Sequence, residues 1–316
     1  MHTRGLAIAV GFAMLFALPT SADKLGEPLA EHEGSRLYLE LSPDYNPRTA
    51  ETVERWVKFL GSALLQVYGR WPRDAWRVSA APASAPGSDP VPWALVHRGD
   101  VNTIEFYTAP RAQFDELKRA FTGYHEIAHL LIPYRGWGDL WISEGVATYY
   151  QHVLQARSGV ISETELWQYL YDGFNAGRAD PRWQGQQLAA IGSDAGREGA
   201  DSRVYWHGAW FFLTVDVRMR RQSRGELTLD TALALLNDCC RDEQLSALEM
   251  VRRLDQINDV LLFEPLFMKT RTSTAIPATD SLFASLGIDV VNGKIQLQEY
   301  GPGATLRRGI SAPRPL

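Results

Sequence analysis

Tyr124-His125-Glu126-Ile127-Ala128-His129, followed by Asp139-Leu140-Trp141-Ile142-Ser143-Glu144-Gly145, decides how this chain is read. Residues four apart on a helix project from one face, so the imidazoles of His125 and His129 can reach a single metal ion. Glu126 stands about 100° around the helix from His125, where a carboxylate can address a water without itself being a ligand. A third ligand must come from elsewhere. Glu144, with fourteen residues between it and His129, is placed to supply it. Three protein ligands leave a fourth position open, which is the arrangement of a catalytic rather than a structural zinc. The expectation is one Zn2+ per chain, held by His125, His129 and Glu144.

Outward from this stretch, Leu117, Phe121, Tyr124, Ala128 and Leu131 form an apolar stripe that predicts a half-buried helix over 115–132, ended by Pro133. The histidines then lie at the edge of a core, where a cleft belongs. A second helix is expected over 142–157, stopped by Gly159. Upstream, alternation predicts strands at 36–41, 76–78 and 102–108, with a helix over 49–68 and a Pro/Ala/Ser/Gly-rich loop over 81–92. Downstream the balance shifts to helices, at 163–174, 202–221, 228–236, 244–257 and 281–286, with a long loop over 175–199 and a terminal strand at 294–297. Mixed strands and helices followed by a mainly helical part give an α+β class.

Arg4 precedes an unbroken apolar run from Leu6 to Leu18, and Thr20-Ser21-Ala22 offers small residues for cleavage. The segment 1–22 therefore reads as a secretory signal peptide, too short to remain as a spanning anchor. The expected destination is the periplasm or the extracellular medium, without stable membrane insertion after cleavage. The mature part divides into an α/β portion over 23–110 and a zinc-binding, helical portion over 111–316. A formal net charge of -5 and a pI near 5.8 argue against nucleic acid and anionic membranes as partners. Cys239 and Cys240 are adjacent, and neighbouring cysteines bridge only with strain, so free, partly buried thiols are expected.

These residues fit metal-assisted hydrolysis. Glu126 is the candidate general base, returning the proton to the leaving group. A developing oxyanion needs a further donor. Tyr205, in Val204-Tyr205-Trp206-His207-Gly208-Ala209, is one candidate; Tyr149, Tyr150, His152 and His207 are alternatives. Asp139 is a candidate to orient a ligating imidazole, while Trp137 and Trp141 are candidates to line the cleft. His152 reads as a solvated or capped histidine.

The same blocks, extended through Val146-Ala147-Thr148-Tyr149-Tyr150, resemble the gluzincin metallopeptidases, in particular the aminopeptidase N family. Phe212-Leu213-Thr214-Val215-Asp216-Val217-Arg218 and the later Leu282-Phe283-Ala284-Ser285-Leu286-Gly287-Ile288 resemble the related glycyl aminopeptidase family. The resemblance implies a two-lobed, thermolysin-like catalytic domain, with zinc between a mixed-sheet lobe and a helical lobe. It also implies zinc at His125, His129 and Glu144, base action by Glu126, and Tyr205 on the oxyanion, sixty-one residues beyond Glu144. The activity implied is zinc-dependent peptide-bond hydrolysis on a peptide or protein substrate.

Three features depart from the aminopeptidase N pattern. The His129–Glu144 interval is shorter, and His207 stands where Lys is usual. The Gly-x-Met-Glu-Asn block that recognises a substrate amino terminus is absent. Gly99-Asp100-Val101-Asn102-Thr103 occupies its place, with Glu105 a candidate substitute. That loss motivates an alternative, a catalytically inactive binding or scaffolding protein on the same fold.

Overall fold

The computed structural model describes residues 25–84, 89–134, 138–191 and 202–315. The expected signal peptide and Trp137 lie outside the described residues. A five-stranded mixed sheet runs β1 (Ala30–His32), β2 (Ser35–Leu41), β3 (Ala75–Pro82), β5 (Asn102–Thr108), β4 (Trp93–His97) in spatial order. The inner strands β2, β3 and β5 are parallel, while β1 and β4 pair antiparallel at the edges. Strand β4 had no counterpart in the sequence reading. Its alternation is weak because it is an edge strand whose Trp93, Leu95 and His97 remain exposed.

Helix α1 (Pro47–Leu65) crosses between β2 and β3. Asn46 caps it, its side chain accepting from Thr49 N–H at 3.0 Å, and Pro47 suits the first helical position. Its buried face of Val53, Trp56, Val57, Leu60 and Leu64 covers Trp76, Val78, Ile104 and Phe106 of the sheet. Trp56 and Phe106 meet with ring centroids 4.9 Å apart.

The single helix expected over 115–132 is broken. It comprises α2 (Phe114–Arg119), α3 (Phe121–Ala128) and a 3-10 turn over His129–Leu131, with Ala120 extended at ψ 122°. The break seats Gly123 against α1, where an added Cβ would lie 2.7 Å from the Trp56 ring. It also frees the last carbonyls of α2: that of Lys118 accepts the Tyr124 hydroxyl at 2.8 Å.

Helix α4 (Leu140–Arg157) is buried on nearly every side, as suits a helix at the centre of a helical layer. It packs on α6 (Ser202–Gln222) through glycines: a Cβ on Gly208 would lie 2.0 Å from Trp141 O and 2.5 Å from Gly145 Cα. Between them in sequence, α5 (Glu163–Ala179) runs into the segment expected as loop from residue 175. The remainder is α7 (Leu229–Cys240), α8 (Ala247–Asn258), α9 (Phe263–Arg271), α10 (Asp280–Ser285), the hairpin β6 (Ile288–Val291) and β7 (Lys294–Leu297), and α11 (Pro302–Ser311).

A buried ionic network binds these helices together. Arg157 donates to both carboxylate oxygens of Asp230 (3.2 and 2.9 Å) and to the carbonyls of Ile310 and Gln66. Tyr150 donates to Asp230, and Tyr149 and Arg220 donate to Asp216. Cys239 and Cys240 are joined in a disulfide, not free as expected. The pair ends α7, where no further helical turn constrains the backbone, and the bond links no two distant segments.

Candidate metal centre

His125 comes from α3, His129 from the 3-10 turn that follows it, and Glu144 from the second turn of α4. Among the described residues, their ligand atoms form one group lying within 4.8 Å of one another. Glu144 Oε2 is 3.1 Å from His125 Nε2 and 3.7 Å from His129 Nε2. Two imidazole nitrogens and a carboxylate, buried and pointing at one place, are the donor set of a three-ligand zinc site. Burial pushes the His129 pKa down to about 3, leaving the neutral imidazole that a metal requires. Burial opposes charge on His125 too, but Glu144, Glu126 and Gln151 reverse the effect and raise its pKa. Burial would raise Glu144, yet His129, His125 and Tyr205 together bring it below the usual carboxylate range.

Both histidines are held from behind. His125 Nδ1 meets Gln151 Oε1 at 2.9 Å, and His129 Nδ1 meets Ser143 Oγ at 3.1 Å. Such partners fix the ring orientation and would leave Nε2 free for a metal. Asp139 does not play this part. Its carboxylate accepts from Trp141 Nε1 and Arg271 Nε, each at 3.1 Å, which turns it away from the imidazoles. Gln151 and Ser143 were not singled out from sequence, although both lie on the Glu144 helix: Ser143 adjoins Glu144, and Gln151 follows it by two turns.

Glu126 is buried, and its pKa is pushed up to about 7 by that burial and by Glu144, against His125. Tyr205 stacks on His125 with centroids 5.7 Å apart and planes at 21°. Its hydroxyl is directed at the Glu144 carboxylate, and burial first, then Glu144, raises its pKa so that the phenol keeps its proton. Gly208, three residues on along the same face of α6, sits on Gly145, so the glycine contact sets Tyr205 beside Glu144.

The other oxyanion candidates lie elsewhere. Tyr149 and Tyr150 serve the ionic network, and His207 is fully buried with neither ring nitrogen partnered. His152 is neither solvated nor a cap: it is buried, bonded to Gln151 and Gln155, and stacked on Tyr169 and Trp206. Trp141 is buried against Phe211 and Phe267, not in the cleft. Glu105 accepts from His97 and Tyr107 on the sheet and does not line the cleft.

Two cavities meet at His125, Glu126 and Tyr205. One, of about 570 Å³, is walled by Phe121, Tyr169, Trp206 and the α4 side chains Thr148, Gln151 and His152. The other, of about 410 Å³, runs along Ala94, Leu95 and Val96 of edge strand β4 and reaches His129 and Glu144.

Residues 136–210 match the sequence model of a family described as M61 glycyl aminopeptidase. A search of curated proteins finds no match to the chain. Among solved structures, an aminopeptidase N family protein from Idiomarina loihiensis superposes with a TM-score of 0.58 at 15% identity, covering 83% of this chain and 49% of that one. A two-domain M1 zinc metallopeptidase variant bound to L-tryptophan gives 0.50 at 16% identity, covering 77% and 50%. This chain thus spans about half the length of these solved proteins. It shares the α+β gluzincin fold of the aminopeptidase N family and, over 136–210, the sequence pattern of the glycyl aminopeptidases.

Proposed function

We propose that this chain is an exported, zinc-dependent peptidase. The observation that carries the reading is the convergence of His125, His129 and Glu144 at the junction of two cavities, with Glu126 and Tyr205 on the same junction. Zinc held by the three side chains would supply Lewis acidity to a water and to a scissile carbonyl. Glu126 takes a proton from the attacking water on its carboxylate and passes it to the leaving amine. Tyr205, its phenol kept protonated, donates its O–H to the carbonyl oxygen as negative charge develops there. The outer edge of β4 borders the cleft, where a substrate in extended conformation can align its peptide groups.

Export rests on the run Leu6–Leu18 and the small residues Thr20-Ser21-Ala22. No helix among the described residues is long and apolar enough to cross a membrane. Amino-terminal sequencing of the exported protein should begin at Asp23.

Glu126→Gln tests the chemistry. The variant should bind zinc as the parent does and cleave a peptide library at under about 1% of the parental rate. Cleavage at the parental rate would overturn the assignment. A parent with bound zinc and no chelator-sensitive turnover would instead favour the scaffolding alternative.

A further inference from the structure

The α4 side chains behind the candidate metal centre form a hydrogen-bond relay with one permitted direction. It starts at a backbone carbonyl, that of Arg119, at the end of α2 just before the Ala120 break. Gln155 Nε2 donates to it at 2.9 Å. A carbonyl only accepts, so the Gln155 atom facing His152 must be Oε1, which meets His152 Nδ1 at 2.8 Å. His152 therefore carries a proton on Nδ1, and because burial lowers its pKa to about 4 the ring is neutral near pH 7 and leaves Nε2 as an acceptor. Gln151 Nε2 donates to that nitrogen at 2.9 Å, which turns Gln151 Oε1 toward His125 Nδ1 at 2.9 Å. His125 must then donate from Nδ1, and its Nε2 is the nitrogen left for the metal. Each step follows from what the previous atom can do, whichever way an amide is drawn.

We infer that His152 is a positioning residue: it fixes the orientation of Gln151, and through it the tautomer and ring plane of His125. The inference rests on the zinc reading above. His152 suits the role because its ring is clamped, stacking on Tyr169 at 4.8 Å and 18° and on Trp206 at 6.2 Å and 12°. It is also buried, and both of its ring nitrogens are already taken, by Gln151 and Gln155.

Three variants are compared with the parent, each checked for parental circular dichroism. His152→Phe keeps a flat ring in the clamp and removes both nitrogens. His152→Gln restores one donor and one acceptor. Tyr169→Leu loosens the clamp without entering the relay. Zinc affinity is read by chelator competition, and ligand geometry by the visible spectrum of the cobalt-substituted protein. His152→Phe should bind zinc about 10–100-fold more weakly, with an altered cobalt spectrum. His152→Gln should recover most of the affinity and the parental spectrum, and Tyr169→Leu should lose less than His152→Phe. Parental affinity and spectrum in His152→Phe would overturn the inference. So would a loss that His152→Gln fails to recover, since that marks packing alone.

Ring nitrogen resonances of metal-free protein test the relay independently of zinc. They should show His152 protonated on Nδ1 with an accepting Nε2; the opposite tautomer overturns the relay. A parent that binds no zinc while showing the expected tautomer would sink the metal reading and the assigned role of the relay, but leave its direction standing.

Discussion

At the scale of single residues, the spacing of His125 and His129 made their shared face legible, because four residues is close to one helical turn, and Glu126 was legible as their neighbour about 100° around it. Glu144 was legible through its neighbours in the motif. Gln151 and Ser143 were not, since glutamine and serine are common on helices and only the packing of α3 on α4 turns them toward the imidazoles. Under the proposed mechanism Tyr205→Phe should retain zinc and lower kcat roughly 100-fold, with a much smaller change in KM, because the donor it would remove acts on charge that develops only in the transition state. His207 offers a separate test by pH. Burial, with Arg203 nearby, pushes its pKa down to about 3, against about 6.5 in an unfolded chain. As pH falls below about 6.5 the unfolded state takes a proton that the folded state refuses, so folding stability is lost from there down toward pH 3. By linkage that amounts to roughly 2 kcal/mol by pH 5. Urea unfolding of His207→Leu should show a smaller fall in stability between pH 7.5 and 5 than the parent shows; an equal fall would contradict the assignment.

At the scale of elements, strong periodicity located α1, α4 and α6 within a few residues of their ends, whereas the break at Ala120 left no mark in the apolar stripe. The break answers to tertiary contact: Gly123 must reach Trp56, and the carbonyls of Lys118 and Arg119 take side-chain partners. Edge strand β4 and helix α9 escaped notice for a related reason. Exposed apolar residues on β4, and Pro265 within α9, blur the pattern that buried elements show. The glycine contact between α4 and α6 is the element-scale feature that the site depends on. Gly208→Ala should force the helices apart, costing about 3 kcal/mol and weakening zinc binding by moving Glu144 and Tyr205. Thermal melting and zinc content of the purified variant check this, and parental values for both would refute it.

At the scale of the molecule, the sheet lobe and the helical layer meet where α3 and α4 cross, so the cleft is bounded by both. The α+β class was readable from the order of elements. The buried network was not, because Arg157, Asp216, Asp230 and Arg220 are brought together from three helices and look like ordinary surface charges in sequence. Asp230→Asn leaves Arg157 buried with one carboxylate fewer and should cost about 3–5 kcal/mol, read from urea unfolding, while leaving metal affinity close to parental. An unchanged midpoint would mean that packing alone ties α4, α7 and α11 together.

The measurement that bears most directly on the central claim is anomalous diffraction at the zinc edge from crystals grown with the metal. One peak is expected, about 2.0–2.2 Å from Nε2 of His125, Nε2 of His129 and a carboxylate oxygen of Glu144. An ion bound away from these atoms, or a Glu144 side chain turned from it, would contradict the account.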